Sequence, residues 1–139
     1  MNPEQILIDT SAWIASFKKA GSPQLKEFLK NSILAGLAVT SPIIILELLQ
    51  GCRTLKERDA LKTKLESLDI LSITPSVWER SYELAFSLRK KGLTIPTADL
   101  IIAASAIENN SVIIHHDEHF EMIAQHYPRL QTKHFGLSA

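Results

Sequence analysis

Ile6-Leu7-Ile8-Asp9-Thr10-Ser11-Ala12-Trp13 is the stretch from which the rest of the chain can be read. Three aliphatic residues in succession, without polar alternation, suit a short strand covered on both faces, as at the centre of a parallel sheet. The run ends on an acid, and Thr10 and Ser11 behind it are good helix caps, so a helix is expected to follow through Phe17. A strand passing directly into a helix opens a β-α unit. A carboxylate at that junction lies where such sheets form their sites, at the carboxyl ends of the strands.

The alternation continues outward from this unit. A helix is predicted over 22–34, with Pro23 in its first turn, Leu25, Phe28, Leu29, Ser32 and Ile33 at helical spacing, and Gly36 as its stop. A second strand over 38–40 leads to Ser41-Pro42, a cap followed by a first-turn proline, and to a helix over 43–49 that Gly51 ends. The isoleucine run 43–45 also suits a strand; the cap and the leucines after it decide for helix. Residues 53–68 read as an exposed amphipathic helix and 70–73 as a third strand. Pro75 and Ser76 open a helix with Val77, Trp78, Ser81, Tyr82, Ala85 and Leu88 on its apolar face, closing on Arg89-Lys90-Lys91 before Gly92. Pro96-Thr97-Ala98-Asp99 starts a helix that is apolar nearly all round and ends at Asn109-Asn110. A fourth strand over 111–114, a short helix over 120–125 and an edge strand over 130–135 complete the chain. Strands alternating with helices predict one three-layer α/β/α domain across 1–139 with a mainly parallel sheet, Asp9 and Asp117 opening onto the same edge.

A length of 139 residues, 45% hydrophobic and 22% charged with 5 Gly and 6 Pro, is that of an ordinary globular domain. The 15 basic residues balance the 15 acidic ones, so no overall field draws the protein to a polyanion; a local basic rim beside an acidic pocket remains compatible with one. Cys52 is the only cysteine, which excludes an internal disulfide and thiolate metal clusters and fits a reducing compartment, its own role being packing. The amino terminus carries no basic stretch followed by an apolar segment, and no apolar run approaches the roughly 20 residues of a membrane span. A cytoplasmic, soluble protein with no membrane contact is expected.

The acids are the informative residues. Asp9, Glu47 and Asp99 each lie inside or beside the most apolar segments, and burial of an unpaired carboxylate costs several kcal/mol or forces protonation. No Lys or Arg stands within helical reach of Asp99, or on the amino-terminal side of Glu47. A hard divalent cation such as Mg²⁺ or Mn²⁺ compensates converging carboxylates and can polarise a phosphodiester and activate water. Each acid also has a structural reading: Asp9 as a helix cap, Asp99 as the complement of its helix dipole, Asp117 as a cap in a polar stretch. Glu47, past the first turn among aliphatics, has the weakest such reading.

His115, His116, His119, His126 and His134 crowd the carboxyl-terminal third, but no HExxH pattern occurs, and surface or phosphate-facing roles fit them better than zinc. Phosphate-binding glycine loops and the GxSxG elbow are absent.

Four segments together carry a resemblance: residues 8–13, Ser41-Pro42 through Gly51, residues 97–104, and His115-His116-Asp117-Glu118-His119-Phe120. In order and spacing they resemble the PIN-domain nucleases, and within these the VapC-type toxins of toxin-antitoxin pairs. The resemblance implies a PIN fold, Mg²⁺ or Mn²⁺ dependence and hydrolysis of single-stranded or loop RNA; activated water attacking in line would leave a 5′-phosphate and a 3′-hydroxyl. It implies Asp9, Glu47 and Asp99 as core catalytic and metal-binding acids, Asp117 as the fourth, and Thr10 or Ser11 as orienting groups. A cognate antitoxin and a homodimer are implied partners, with helices 43–49 and 55–68 as contact surfaces and an antitoxin Arg offered to the carboxylates. One departure stands out: the family often has a second acid immediately before the phenylalanine, where this chain has His119. Whether Asp117, Glu118 or His119 completes the site is therefore open.

Lys18, Lys19, Arg89, Lys90 and Lys91 are candidate RNA-backbone contacts, each of which also reads as solvated surface charge. A receiver-like phosphoacceptor domain is the rival from another class. Asp69 precedes its strand rather than ending it, and only Asp9 follows the first strand, so the pattern fits poorly. A PIN-like module that binds nucleic acid without cutting it is the second rival.

Overall fold

The structure, a computed structural model, describes residues 4–135. The extreme amino terminus, read above for a targeting segment, lies mostly outside them, at residues 1–3. In chain order the elements are β1 (Ile6–Ile8), α1 (Thr10–Phe17), α2 (Pro23–Leu34), β2 (Ala38–Thr40), α3 (Pro42–Gln50), α4 (Leu55–Glu66), β3 (Asp69–Ile70), α5 (Pro75–Lys90), α6 (Thr97–Asn109), β4 (Val112–His115), α7 (Glu118–His126) and β5 (Gln131–His134). The strands form one sheet in the order β3-β2-β1-β4-β5, flanked by the helices as a three-layer α/β/α domain. Every strand pair is parallel, the edge strand β5 included.

β1 is central, with Leu7 and Ile8 wholly buried, and it aligns Ile6 with Ala38 on one side and Ile8 with Ile114 on the other. The chain leaves β1 toward β2 on one flank and returns as β4 on the other. The switch point of the sheet thus lies between β1 and β4, where the diverging connections leave a crevice. α6 is buried at every position from Asp99 to Ile107, as expected of a helix apolar all round, and it ends on Asn110 in the left-handed region at φ 52°.

Three local expectations need correction. The α1 cap is Asp9 rather than Thr10 or Ser11: its side chain accepts the Ser11 N–H, and both hydroxyl residues lie within the helix. β3 occupies Asp69–Ile70 instead of 70–73, because pairing with β2 lasts only through Val39–Asp69 and Thr40–Ile70. α5 buries Val77, Ser81, Leu84 and Leu88 and leaves Trp78, Tyr82 and Phe86 substantially exposed. Its apolar residues span a wider arc than α6 can cover, so the seam selects one stripe and the aromatic one faces out.

Candidate metal centre

Asp9 ends β1 and caps α1 at the crevice. Its Oδ2 accepts from the Ser11 amide at 2.9 Å and from the Ser11 hydroxyl at 2.6 Å. The Ser11 oxygen in turn accepts from the His116 amide at 2.9 Å, tying the start of α1 to the segment after β4. Asp9 is only 2% exposed, yet its Oδ1 is buried without a hydrogen-bond partner among the described residues. Burial raises its carboxyl pKa, the Ser11 bonds oppose this, and the carboxylates of Glu47 and Asp117 raise it further.

Asp99 stands in the first turn of α6, buried at 8% exposure. Its pKa is raised to about 6, first by burial, then by the charges of Asp117 and Asp9, against a lowering contribution from His119. The dipole role considered for Asp99 therefore coexists with strain: a residue serving only its helix terminus would be stabilised, not raised by its neighbours.

Asp117 caps α7, accepting the His119 amide at 2.9 Å, and its own amide donates to His115 Nδ1 at 3.1 Å. That acceptor role fixes the His115 tautomer, so Nε2–H faces Glu121 Oε1 at 3.3 Å. Glu121 is held from its other side by the Thr132 hydroxyl of β5 at 3.1 and 3.0 Å. His115 is fully buried, and burial lowers its pKa despite Glu121.

Glu47 reaches the crevice from α3, where its Oε1 accepts from the Thr10 hydroxyl at 2.7 Å. It is half-buried, not deep among aliphatics as its neighbours in sequence suggest. α3 turns Ile44 and Leu48 inward, which puts Glu47 on the flank of the buried face and Leu46 outside.

Of the four acids singled out in the sequence, Asp9 feels the charges of Glu47 and Asp117, and Asp99 those of Asp117 and Asp9, while Thr10 holds Glu47 and Ser11 holds Asp9. Glu118 is exposed. His119, left open in the sequence as the residue that completes the site, stands beside two of these acids: its Nδ1 lies 2.9 Å from Asp99 Oδ2 and 3.0 Å from Asp117 Oδ1. A cap acid followed two residues later by histidine was the available signal, since first-turn side chains can fold back over the cap. Asp99, Asp117 and His119 each offer a ligand atom, all within 4.8 Å of one another. Among the cationic candidates, Arg89 donates to Thr94 Oγ1 at 2.7 Å, and Lys90 and Lys91 lie over the rings of Phe86 and Tyr127.

A divalent cation fits these residues. The donors are oxygens with one imidazole nitrogen, neighbouring carboxylates raise the pKa of Asp9 and of Asp99, and Oδ1 of Asp9 is a buried acceptor, without a partner among the described residues, that a cation would satisfy.

Fold and crevice define a parallel α/β domain with an acidic site at its switch point. The chain belongs to the PIN-domain family, which matches residues 6–125. It is 32% identical over 124 residues to Ribonuclease VapC11 of Mycobacterium tuberculosis, covering 86% of this chain and 92% of that one. It is 31% identical over 122 residues to Ribonuclease VapC1 of Methanocaldococcus jannaschii, covering 87% and 82%. Among solved structures, DNA-bound VapBC from Salmonella typhimurium superposes with a TM-score of 0.78 at 19% identity, covering 95% of this chain and 98% of that one. VapBC2 from Rickettsia felis, bound to a DNA fragment from its promoter, gives 0.77 at 21% identity, covering 94% and 98%. These two likenesses show a shared fold. Among the described residues, no helix is long and apolar enough to cross a membrane.

Proposed function

We propose that this chain is a metal-dependent endoribonuclease, the toxin of a toxin-antitoxin pair, acting as a single PIN domain in the cytoplasm. The observation that carries the reading is the buried, partnerless Oδ1 of Asp9 in a crevice shared with Glu47, Asp99 and Asp117. The names of the VapC relatives, which are ribonucleases, support RNA as substrate.

In this reading Asp9, Asp99 and Asp117 hold Mg²⁺ or Mn²⁺, and Glu47 serves at the rim as a ligand or as the group that orients the attacking water. The bound cation supplies charge neutralisation of the phosphodiester and acidification of water. The chain's own contribution is orientation. Ser11 locks one oxygen of Asp9 and so directs the other into the crevice, Thr10 holds Glu47, and His115 anchors the turn that carries Asp117. Among the described residues, no Lys or Arg is a hydrogen-bond partner of Asp9, Glu47, Asp99 or Asp117, which leaves these acids available to a cation.

The titles of the structural neighbours, VapBC complexes, support a cognate antitoxin. A groove of about 600 Å³ beside Glu47, lined by Ile14, Phe17, Leu48 and Leu61, is the seat proposed for it. The exposed aromatic stripe of α5 supports a homodimer.

Purified protein incubated with RNA in Mg²⁺, Mn²⁺ or EDTA tests the reading. Cleavage is expected with either ion, to be abolished by EDTA and reduced by several orders of magnitude in Asp9→Asn. Cleavage that survives EDTA, or an undiminished Asp9→Asn variant, defeats it.

A further inference from the structure

His119 occupies the one position where the chain departs from the acid common at this point of the motif. Nδ1 is the ring atom through which it meets the site, 2.9 Å from Asp99 Oδ2 and 3.0 Å from Asp117 Oδ1. These separations admit two physical accounts. In the first, the ring is a cap that donates Nδ1–H to both carboxylates and partly neutralises them. In the second, Nδ1 is one corner of a coordination shell. Two ligands at right angles about an ion with bonds of about 2.1 Å lie about 3.0 Å apart, so the three atoms already have the spacing of adjacent ligands.

The surroundings favour the second account. Asp9 Oδ1 is buried and lacks a partner, although His119 is only one residue from the Phe120 core anchor and a single imidazole N–H is already spent on two other acids. The ring adds one hydrogen to those already given by Ser11, Thr10 and the His119 amide, and among the described residues none of them reaches Asp9 Oδ1. A cation meeting Asp99 Oδ2, Asp117 Oδ1 and His119 Nδ1, whose residues offer ligand atoms within 4.8 Å of one another, satisfies these three together. The ring needs no rotation to serve it, since Nδ1 already lies within 3.0 Å of an oxygen of each carboxylate.

We propose that His119 Nδ1 is a direct ligand of the catalytic cation, and that this nitrogen makes the site select Mn²⁺ over Mg²⁺. The inference rests on the metal-dependent nuclease reading above. Mg²⁺ prefers oxygen and dehydrates reluctantly, whereas imidazole binds the first-row transition dications more strongly; exchanging a carboxylate for an imidazole moves preference toward the latter. The total negative charge of the site also falls by one, which weakens Mg²⁺ more because its binding has no compensating nitrogen bond.

The test is spectroscopic and needs no turnover. Protein loaded with Mn²⁺ is examined by electron spin echo modulation, with histidine in natural abundance and labelled with ¹⁵N. Expected is a directly bound imidazole coupling that changes with the label and is lost in His119→Asp. In parallel, dissociation constants for Mn²⁺ and Mg²⁺ are measured by calorimetry. The ratio of Mg²⁺ to Mn²⁺ constants is expected to fall at least tenfold in His119→Asp, with circular dichroism establishing that the variant is folded. Asp99→Asn marks the site itself. If Mn²⁺ binds, Asp99→Asn abolishes binding, and no nitrogen coupling is seen, His119 is only a cap and the proposal is overturned while the nuclease reading stands. If no ion binds, or Asp99→Asn leaves binding intact, both fail together.

Discussion

The Ser11 hydroxyl donates to Asp9 Oδ2 across 2.6 Å, while its oxygen accepts the His116 amide. This hydroxyl holds the rotamer of an acid that carries a buried, partnerless oxygen, and it does so from a segment tied to the strand on the other side of the crevice. Removing it frees Asp9 and severs that tie.

Ser11→Ala is therefore expected to weaken Mn²⁺ binding by about 10- to 100-fold, the usual cost of losing a group that orients a ligand, and to destabilise the protein by about 1–2 kcal/mol. Calorimetric titration and urea unfolding measure the two effects. Ser11→Thr keeps the hydroxyl and should recover most of both. An affinity unchanged in Ser11→Ala contradicts the orienting role.

Asp9 has two jobs that separate on substitution. Asn retains the helix cap but removes a charge raised by burial and by Glu47 and Asp117. In EDTA at pH 7, Asp9→Asn should match or exceed wild-type stability, while Asp9→Ala loses the cap at a cost of about 1 kcal/mol. Added Mn²⁺ should raise the melting temperature of the wild type and not of Asp9→Asn. A metal-free Asp9→Asn protein that melts well below wild type contradicts the strain ascribed to this acid.

Asp99 carries a pKa raised from 3.8 to about 6, so the folded state holds its proton more tightly than the unfolded chain. Its contribution to stability is present at low pH and lost as pH rises from about 4 to 6, with an upper magnitude of about 3 kcal/mol. Expressed as a difference, the stability of metal-free Asp99→Asn relative to wild type should grow across that window and level off above it. Because the cation binds the ionised form, wild-type Mn²⁺ affinity should fall as pH drops below about 6. Guanidinium titrations from pH 4 to 8 give the first curve and calorimetry the second; a flat difference across the window contradicts the raised pKa.

His115 has the opposite sign. Its lowered pKa means that the folded state holds a neutral ring, so its contribution is present above the ordinary histidine value of 6.5 and is lost as pH falls below it. His115→Leu leaves the Asp117 amide without its acceptor and should cost about 2–3 kcal/mol at pH 7. It should also lose part of the acid sensitivity expected of the wild type below pH 6.5, and bind Mn²⁺ more weakly. The same unfolding series decides this, and an unaltered slope in His115→Leu rules the neutral ring out.

Sequence alone determined much of this molecule. Apolar runs bounded by caps and glycines are local signals, so β1, β2 and β4 with α2, α3 and α6 were legible from residues such as Ser22, Ser41 and Asn110, which act on their immediate neighbours. The buried acids Asp9 and Asp99 were legible too, because a charge in an apolar segment demands compensation wherever the segment packs. Tertiary structure alone decided which side chains meet. The α5 helix had two candidate apolar stripes, and only contact with α6 chose Leu84 over Tyr82. Glu47 moved to the crevice flank because the pair Ile44 and Leu48 claimed the inward face of α3. His119 joined Asp99 across a sequence separation of 20 because β4 and α6 deliver their ends to one edge, a convergence that depends on the order of strands in the sheet and leaves no mark on the residues nearby.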